Sequence, residues 1–416
     1  MTAMASNSSA KLPLLHFLQR QSALRSFILI RAIEELSSQM LNVVIAWYVY
    51  SATHDPMSLA YLGLARFLPN IGMVLAAGQV ADHFDRRRII GVSLFLETLC
   101  MATLGALSAT AALSVGRVYV LLFVMAAAQA FSSPALSAML PDLVTGEEFP
   151  RAVAVASSAF QICTLVGPAV GGLIYALSVP GMFALSTALY LPALMQVRRL
   201  ATGRHEARAQ ENGPADESPL GGIRDIRTNR LLLGVISLDL FAVLLGGITA
   251  LLPIYAKDIL SAGPAGLGCL RCAPGIGAAA IGLVLTHRTI RSGAGKLMLA
   301  CVAGFGFATL VFAVSTNLWL SLLALMGAGG FDMVSMVIRQ TLLQVSTPGA
   351  MRGRVSAVQW VFIGASSELG EFESGATAAL FGTVPAALLG GLGTLAVVAL
   401  WSKIFPELLR ADKLVT

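Results

Sequence analysis

Apolar runs separated by short polar turns recur along nearly the whole chain. A helix needs ~20 predominantly apolar residues to cross the ~30 Å hydrocarbon layer of a bilayer. Runs of that length lie at Ser26 to Tyr50, Ser58 to Val80, Ile89 to Ala112, Val118 to Leu140, Ala152 to Leu177 and Gly181 to Val197. A second set lies at Leu231 to Tyr255, Gly266 to Thr286, Leu297 to Ser315, Leu318 to Leu343, Val355 to Phe381 and Pro385 to Ile404. The pattern predicts an all-α membrane protein of twelve transmembrane helices. A spanning barrel would show ~10-residue segments of alternating polarity instead, and the sequence has none.

Composition agrees with lipid as the main solvent: 56% of the 416 residues are hydrophobic and 12% charged, against roughly a quarter charged in soluble domains. A net charge of +6 would fit a nucleic-acid binder, but the positions of the charges say otherwise. Of 28 Lys and Arg, all but six fall in the tails and the even-to-odd loops; Arg117 and Lys257 are in the opposite loops, and Arg31, Arg66, Arg271 and Arg339 are inside spans. By the positive-inside rule both termini are cytoplasmic, and anionic lipid headgroups are the expected contact of the basic turns. The first 25 residues lack an apolar core followed by a small-residue cleavage site, so no cleaved signal is expected.

The composition turns abruptly polar between Val197 and Arg230 (RRLATGRHEARAQENGPADESPLGGIRDIRTN). The expected organisation is a cytoplasmic segment 1–25, a six-helix bundle 26–197, a cytoplasmic linker 198–229, a second bundle 230–405 and a tail 406–416. The remaining connections are short, which makes consecutive helices antiparallel neighbours. A weak repeat relates the halves: PDLVTGEEFPRAVAVAS from Pro141 precedes span 5 as PGAMRGRVSAV from Pro348 precedes span 11. Such repeats are the sequence trace of pseudo-symmetric transporters. Cys269 and Cys272 form a C-x-x-C, but with no His or second pair beside them they read as small packing residues rather than a redox or metal centre.

The segment GQVADHFDRRRI from Gly78 to Ile89 resembles the loop motif between helices 2 and 3 of the major facilitator superfamily, and the resemblance extends over essentially the full length. RFLPNIG at Arg66, the S-P-A and L-P-D pair near Pro134 and Pro141, GPAVGG at Gly167 and TPGAMRGRVSAV at Thr347 are similar to the enterobactin-exporter-like branch. That branch holds siderophore and drug exporters and lysophospholipid flippases. The resemblance implies two pseudo-symmetric six-helix bundles and a conformational latch at Gly78, Asp82, Asp85, Arg86, Arg87, Arg88, Arg352 and Arg354. It gives Asp82 a helix-end or cationic partner in one conformation, and the arginines a partner in the other half. The chain departs from the motif at His83, where Arg is usual, and at Asp85, where Gly is usual. Gly167, Pro168, Gly171 and Gly172 are similar to the end of the antiporter motif in helix 5, with Cys163 standing where a Gly is expected; this leans toward export.

Twelve ionisable side chains fall inside the spans: Arg31, Glu34, Glu35, Arg66, Glu97, Asp239, Arg271, Asp332, Arg339, Glu368, Glu371 and Glu373. At about 3 kcal/mol each, facing them all to lipid would cost about 30 kcal/mol or more, so they are expected to face one another or water. Arg31, Glu34 or Glu35, Ser38 and Asn42 share one side of span 1 by helical spacing. Gly364, Ser367 or Glu368, Glu371 and Gly375 share one side of span 11, with Glu373 turned away. Structural alternatives stand beside these readings: Arg31 with Glu34 or Glu35 as an intrahelical pair, Arg339 snorkelling, and Glu97 paired with a span-2 group. Eight carboxylates against four guanidiniums cannot all be paired as anions, and a carboxyl that takes up a proton in the membrane is what a proton-coupled carrier uses. Arg31, Glu34, Glu35, Ser38, Asn42, Glu97, Asp239, Arg271, Asp332, Glu368 and Glu371 are therefore the candidate substrate and proton pathway.

These features predict a proton-coupled exporter of an amphiphilic small molecule, a siderophore, drug or metabolite, working by alternating access in the bacterial inner membrane. Its expected partners are that substrate, protons and membrane lipids, with no nucleic acid, no metal and no cofactor beyond the proton gradient, and the chain is expected to act as a monomer. A lysophospholipid flippase or an uptake permease is the alternative transporter, and a non-transporting receptor or intramembrane enzyme the alternative of another class. An ATP-driven pump is disfavoured, because the Gly295-Lys296 pair is followed by Leu297 and lacks the preceding glycine of a phosphate-binding loop. No G-x-S-x-G or H-E-x-x-H is present.

Overall fold

The computed structural model describes residues 21–145, 148–200, 229–287, 293–347 and 352–410. Among them the chain forms twelve long helices, a series of short turns after the seventh, and one short helix at the end. The first six are α1 (Ser22–Thr53), α2 (Pro56–His83), α3 (Arg86–Ala109), α4 (Val115–Leu143), α5 (Phe149–Leu177) and α6 (Val179–Val197). The second six are α7 (Arg230–Leu245), α8 (Gly263–His287), α9 (Ala294–Val314), α10 (Leu318–Ser346), α11 (Arg352–Phe381) and α12 (Thr383–Ile404), followed by α13 (Pro406–Arg410). Eight segments, one of them α7 together with the turns that follow it through Ile259, are long and apolar enough to cross a membrane. The other four long helices are α1, α2, α6 and α11. Most of the expected segment 1–25, linker 198–229 and tail 406–416 lies outside the described residues.

Side-chain caps start several helices by accepting from backbone N–H groups left free in the first turn. Asp55 accepts from Met57 N with Pro56 in the first helical turn, Ser178 from Gly181 N, Asn229 from Leu231 N and Asn317 from Trp319 N. Asp85 accepts from Arg87 N at 3.0 Å. The departure of Asp85 from the superfamily motif thus has a local role as the N-cap of α3. His54, in the left-handed conformation at φ 53°, ends α1.

The seventh span is not the continuous helix to Tyr255 that its apolar run predicts. The helix stops at Leu245, and a 3-10 turn (Ile248–Leu251), a single turn (Leu252–Ile254) and a π-helical turn (Tyr255–Ile259) follow. The break falls at Gly246 and Gly247, where a Cβ would stand 2.7 Å from the Ala242 carbonyl oxygen and 2.6 Å from that of Gly370. Irregular backbone is tolerated at membrane depth only where protein surrounds it, and Leu251, Leu252, Ile254 and Tyr255 are all buried.

Packing within the first six helices runs mainly α1 on α5, α2 on α4, α3 on α4, α3 on α6 and α1 on α6. Shifted by six, the same pattern recurs: α7 on α11, α8 on α10, α9 on α10, α9 on α12 and α7 on α12. Consecutive helices run antiparallel, yet several of the largest contacts skip along the sequence, so the expectation that chain neighbours are packing neighbours fails for pairs such as α4 and α5. The glycine faces decide this. A Cβ on Gly171 would lie 2.7 Å from Met40 Cα of α1, an approach that other residues would prevent. Two further seams, α2 with α11 and α5 with α8, join the two sets.

Candidate functional site

We call the surface where α1 begins the near surface and the opposite one the far surface. Both seams between the six-helix sets are tight toward the far surface. On α11, a Cβ at Gly375 would meet Ala60 N of α2 at 2.7 Å, and one at Gly63 would meet the Glu368 carbonyl oxygen at 2.8 Å. Glu371 pairs with Arg66 at 3.8 Å, and Asn70 donates to Glu368 Oε1 at 2.5 Å. Three turns before Gly375, on the same face of α11, Gly364 has open space where a Cβ would stand, and Ser367 is exposed.

The α5–α8 seam behaves alike. A Cβ at Gly172 would lie 2.5 Å from the Pro264 carbonyl oxygen and 3.1 Å from Gly268 Cα. A Cβ at Gly268 would meet the Pro168 carbonyl oxygen at 2.6 Å, and Cys272 Sγ donates to the Leu165 carbonyl oxygen at 2.9 Å. Toward the near surface, on the corresponding side of α5, Ser157, Ser158 and Gln161 are exposed. Cys272 therefore packs a seam, as expected of the C-x-x-C, while Cys269 is exposed. At the far end Tyr50 donates to Asp258, and Lys257 Nζ lies 3.1 Å from His54 Nε2, so the end of α1 is tied to the π-helical turn after α7. Together these contacts describe a cleft between the two sets, sealed toward the far surface and open toward the near one.

The predicted pathway residues divide among three places. On the first wall, Glu34 of α1 accepts from Ser132 of α4 at 3.1 Å. Glu35 accepts from Thr164 of α5 and from Gln39, both at 2.8 Å. The Arg31 guanidinium lies 5.5 Å from the centroid of the Phe160 ring. Ser38 and Asn42 continue that side of α1, half-buried. On the second wall, Arg339 of α10 donates to Asp239 of α7, both buried, and Asp332, two turns along α10 from Arg339, is exposed. Arg339 therefore makes a buried ion pair and does not snorkel.

The third place is the α2–α11 seam, which holds Arg66, Glu368 and Glu371; Arg271 of α8 lies within electrostatic reach of Glu371 and donates to the Thr249 carbonyl oxygen at 3.4 Å. These groups close the cleft. One shared pocket for every intramembrane charge is thus not what the structure contains. Glu97 is 0% exposed, inside the first six helices, and accepts from Tyr190 of α6 at 2.7 Å. Among the described residues it has no span-2 partner, and it does not hold the cleft position that the sequence suggested. Glu373 accepts from Thr377 of its own helix at 2.8 Å, in keeping with its expected turn away.

At the motif after α2, Arg86 donates to Asp142 at 2.8 Å and to the Ala138 carbonyl oxygen at 2.9 Å, both on α4. The resemblance gave the arginines a partner in the other half; in this conformation Arg86 is held in its own. Arg88 Nε lies 3.9 Å from Asp85, and Arg87 is half-buried at the start of α3. The surroundings of Gly78, Asp82, Arg352 and Arg354 lie outside the described residues. In α5, Gly167 and Gly171 face α1 while Pro168 and Gly172 face α8, so the helix-5 motif serves two seams at once.

Asn70, Ser132, Thr164, Phe160, Tyr190, Asp142 and the Tyr50 and Asp258 pair were not picked out from sequence. Only Asn70 had a usable signal: Arg66 and Asn70 at i, i+4 complement Glu368 and Glu371 at i, i+3 on another span.

Comparison with known proteins extends this picture. The family described as transmembrane secretion effector matches residues 17–413. The enterobactin exporter EntS of Escherichia coli O81 (strain ED1a) is 26% identical over 414 residues, covering 95% of each chain. Its counterpart in Escherichia fergusonii is also 26% identical, with the same coverage. Among solved structures, the nucleoside transporter NupG has a TM-score of 0.70 at 12% identity, covering 92% of this chain and 99% of that one. A bacterial homologue of the human lysosomal transporter Spinster, solved inward-facing and unoccupied, has a TM-score of 0.70 at 11% identity, covering 94% and 96%. At such identities the structures speak for the fold. With the family match covering nearly the whole chain, this protein belongs to the transmembrane secretion effector family of the major facilitator superfamily, and it is a multi-pass membrane transporter rather than an enzyme.

Proposed function

We propose that the protein is a secondary exporter that moves an amphiphilic small molecule from the near to the far surface in exchange for protons. The observation that carries this reading is the pair of seams, α2–α11 and α5–α8, tight toward one surface and parted toward the other around walls that bear intramembrane charges. Rocking the two six-helix sets about that cleft would expose it to each side in turn. The basic turns make the near surface cytoplasmic by the positive-inside rule, which puts both termini in the cytoplasm of a bacterial inner membrane. Similarity to enterobactin exporters supports outward transport of a siderophore or another amphiphile.

Glu34 suits a proton-carrying role. It is half-buried on the first wall, its neighbour in hydrogen bonding is the neutral Ser132 hydroxyl, and no cation is within ion-pairing distance among the described residues. Protonation there would alter the electrostatics of the open cleft and so bias its closure.

The test is transport by everted membrane vesicles from cells with and without the protein, screened with siderophores, cationic drugs and lysolipids under an imposed proton gradient. Accumulation of one class that collapses with the gradient supports the proposal. Lysolipid movement indifferent to the gradient would favour a flippase, and no protein-dependent movement of any class would reject the exporter reading.

A further inference from the structure

The ionisable groups inside the helices are almost all engaged by the protein itself. Glu34, Glu35, Glu97, Glu368 and Glu373 accept from neutral side chains, Arg66 pairs with Glu371 and Arg339 with Asp239, and Arg271 donates to a carbonyl. Two remain, of opposite sign and on opposite walls. Arg31 of α1 makes no hydrogen bond or ion pair among the described residues, although Glu34 lies within its electrostatic reach. Asp332 of α10 likewise makes none, although Arg339, whose charge Asp239 already engages, lies within reach.

Neither group is placed like a structural ion. The Arg31 guanidinium stands over Phe160 at 5.5 Å, which engages a face of the planar cation and leaves its edge, the fork that binds oxyanions in bidentate fashion, without a protein acceptor. The stack also fixes the side chain, so a ligand would meet a preorganised donor. Asp332 is exposed in mid-helix, seven residues from Arg339 and therefore on the side of α10 that meets α7. Arg31 lies nine residues from the near end of α1 and Asp332 fourteen from the near end of α10. At 1.5 Å per residue their depths differ by about 7 Å.

We infer that the cargo is zwitterionic: an acidic group, carboxylate, phosphate or phenolate, seats on Arg31 over Phe160, and a basic group seats on Asp332 across the cleft. This rests on the exporter reading and narrows it. An amphiphile bearing both charges would supply each wall with the partner it lacks, and its arrival would draw the two sets together. A purely cationic or purely anionic molecule would leave one of the two charges without a partner.

The experiment is fluorescence-anisotropy binding of three dyes to the purified full chain, followed by their uptake into everted vesicles. Rhodamine B is a zwitterion, its ethyl ester the same fluorophore left cationic, and fluorescein an anion without the amine. The wild type is expected to bind rhodamine B at least tenfold more tightly than either of the others. Arg31→Gln should lose about tenfold toward rhodamine B and fluorescein but not toward the ester, with Arg31→Lys keeping part of the affinity. Asp332→Asn should lose as much toward rhodamine B and the ester but not fluorescein. Thermal melting of each variant close to the wild type establishes that it is folded. Equal binding of the three dyes with continued uptake would overturn the zwitterion inference and keep the exporter. Rhodamine B binding unchanged by both variants would overturn it as well, and failure to bind any of the three dyes would overturn it while leaving the exporter reading to the screen of siderophores, drugs and lysolipids.

Discussion

Asn70 of α2 donates to Glu368 of α11 at 2.5 Å, one turn closer to the cleft than the 3.8 Å pair of Arg66 and Glu371. Both links cross between the two six-helix sets and lie where the seam is about to part. Rocking must break them, which makes them a two-state element rather than fixed packing. A hydrogen bond to a charged acceptor is worth about 1.5–3 kcal/mol, so Asn70→Ala should shift the closed-to-open ratio of the far surface by roughly ten- to a hundredfold. Labelling of a cysteine placed in the far part of the cleft by a membrane-impermeant maleimide should rise accordingly; unchanged labelling would remove the gate role.

Gly171 and Gly172 are adjacent but face different partners, α1 within the same set and α8 across the seam. Gly172→Val should stop the far seam from closing, because the atoms it meets belong to the backbone, and should abolish transport with little loss of thermal stability. Gly171→Ala should instead destabilise the first set by about 1–3 kcal/mol through overpacking. Melting and vesicle uptake measured on both variants separate the two; equal loss of stability would show that the seams are not independent.

The buried Asp239 and Arg339 pair should behave as a unit. Removing one partner of a buried pair costs about 3–5 kcal/mol by stranding the other charge, so Asp239→Leu and Arg339→Met should each express poorly and melt early. The double variant should recover much of that loss. Double-variant stability no better than the worse single would contradict the pairing.

Glu34 and Glu97 offer a contrast between a carboxyl on the cleft wall and one sealed in the first set. Glu34→Gln should block proton-coupled export while the protein remains in the membrane. Glu97→Gln keeps an acceptor for Tyr190 and should leave export near wild type. The reverse outcome in vesicle uptake would move the proton role to the interior of the first set.

Helix placement was legible because a lipid environment imposes one rule, ~20 apolar residues per span, and eleven of the twelve runs match a long helix within a few residues. The break after Leu245 was not, since glycine is common in membrane helices and it is the Phe305 ring against Gly246 and the Gly370 carbonyl against Gly247 that require it here. The intramembrane charges were legible as unable to face lipid, and helical spacing placed Glu368 and Glu371 on one side of α11. It could not separate Glu34 from Glu35, which sit one residue apart and turn to α4 and α5 respectively. The Glu97 and Tyr190 partnership spans 93 residues and rests on α3 packing against α6, information that no local pattern carries.

The most direct test of rigid-body alternation uses spin-label distances in a cysteine-free background, with one pair at Leu177 and Gly263 near the far ends of α5 and α8 and another at Ala154 and Leu283 near their opposite ends. In the wild type the far pair should show one short distance and the near pair a long one. Weakening the α2–α11 seam with Asn70→Ala and Glu371→Gln should create a second population in which the far pair lengthens and the near pair shortens together. A far pair that lengthens while the near pair stays unchanged would contradict alternation between two rigid halves.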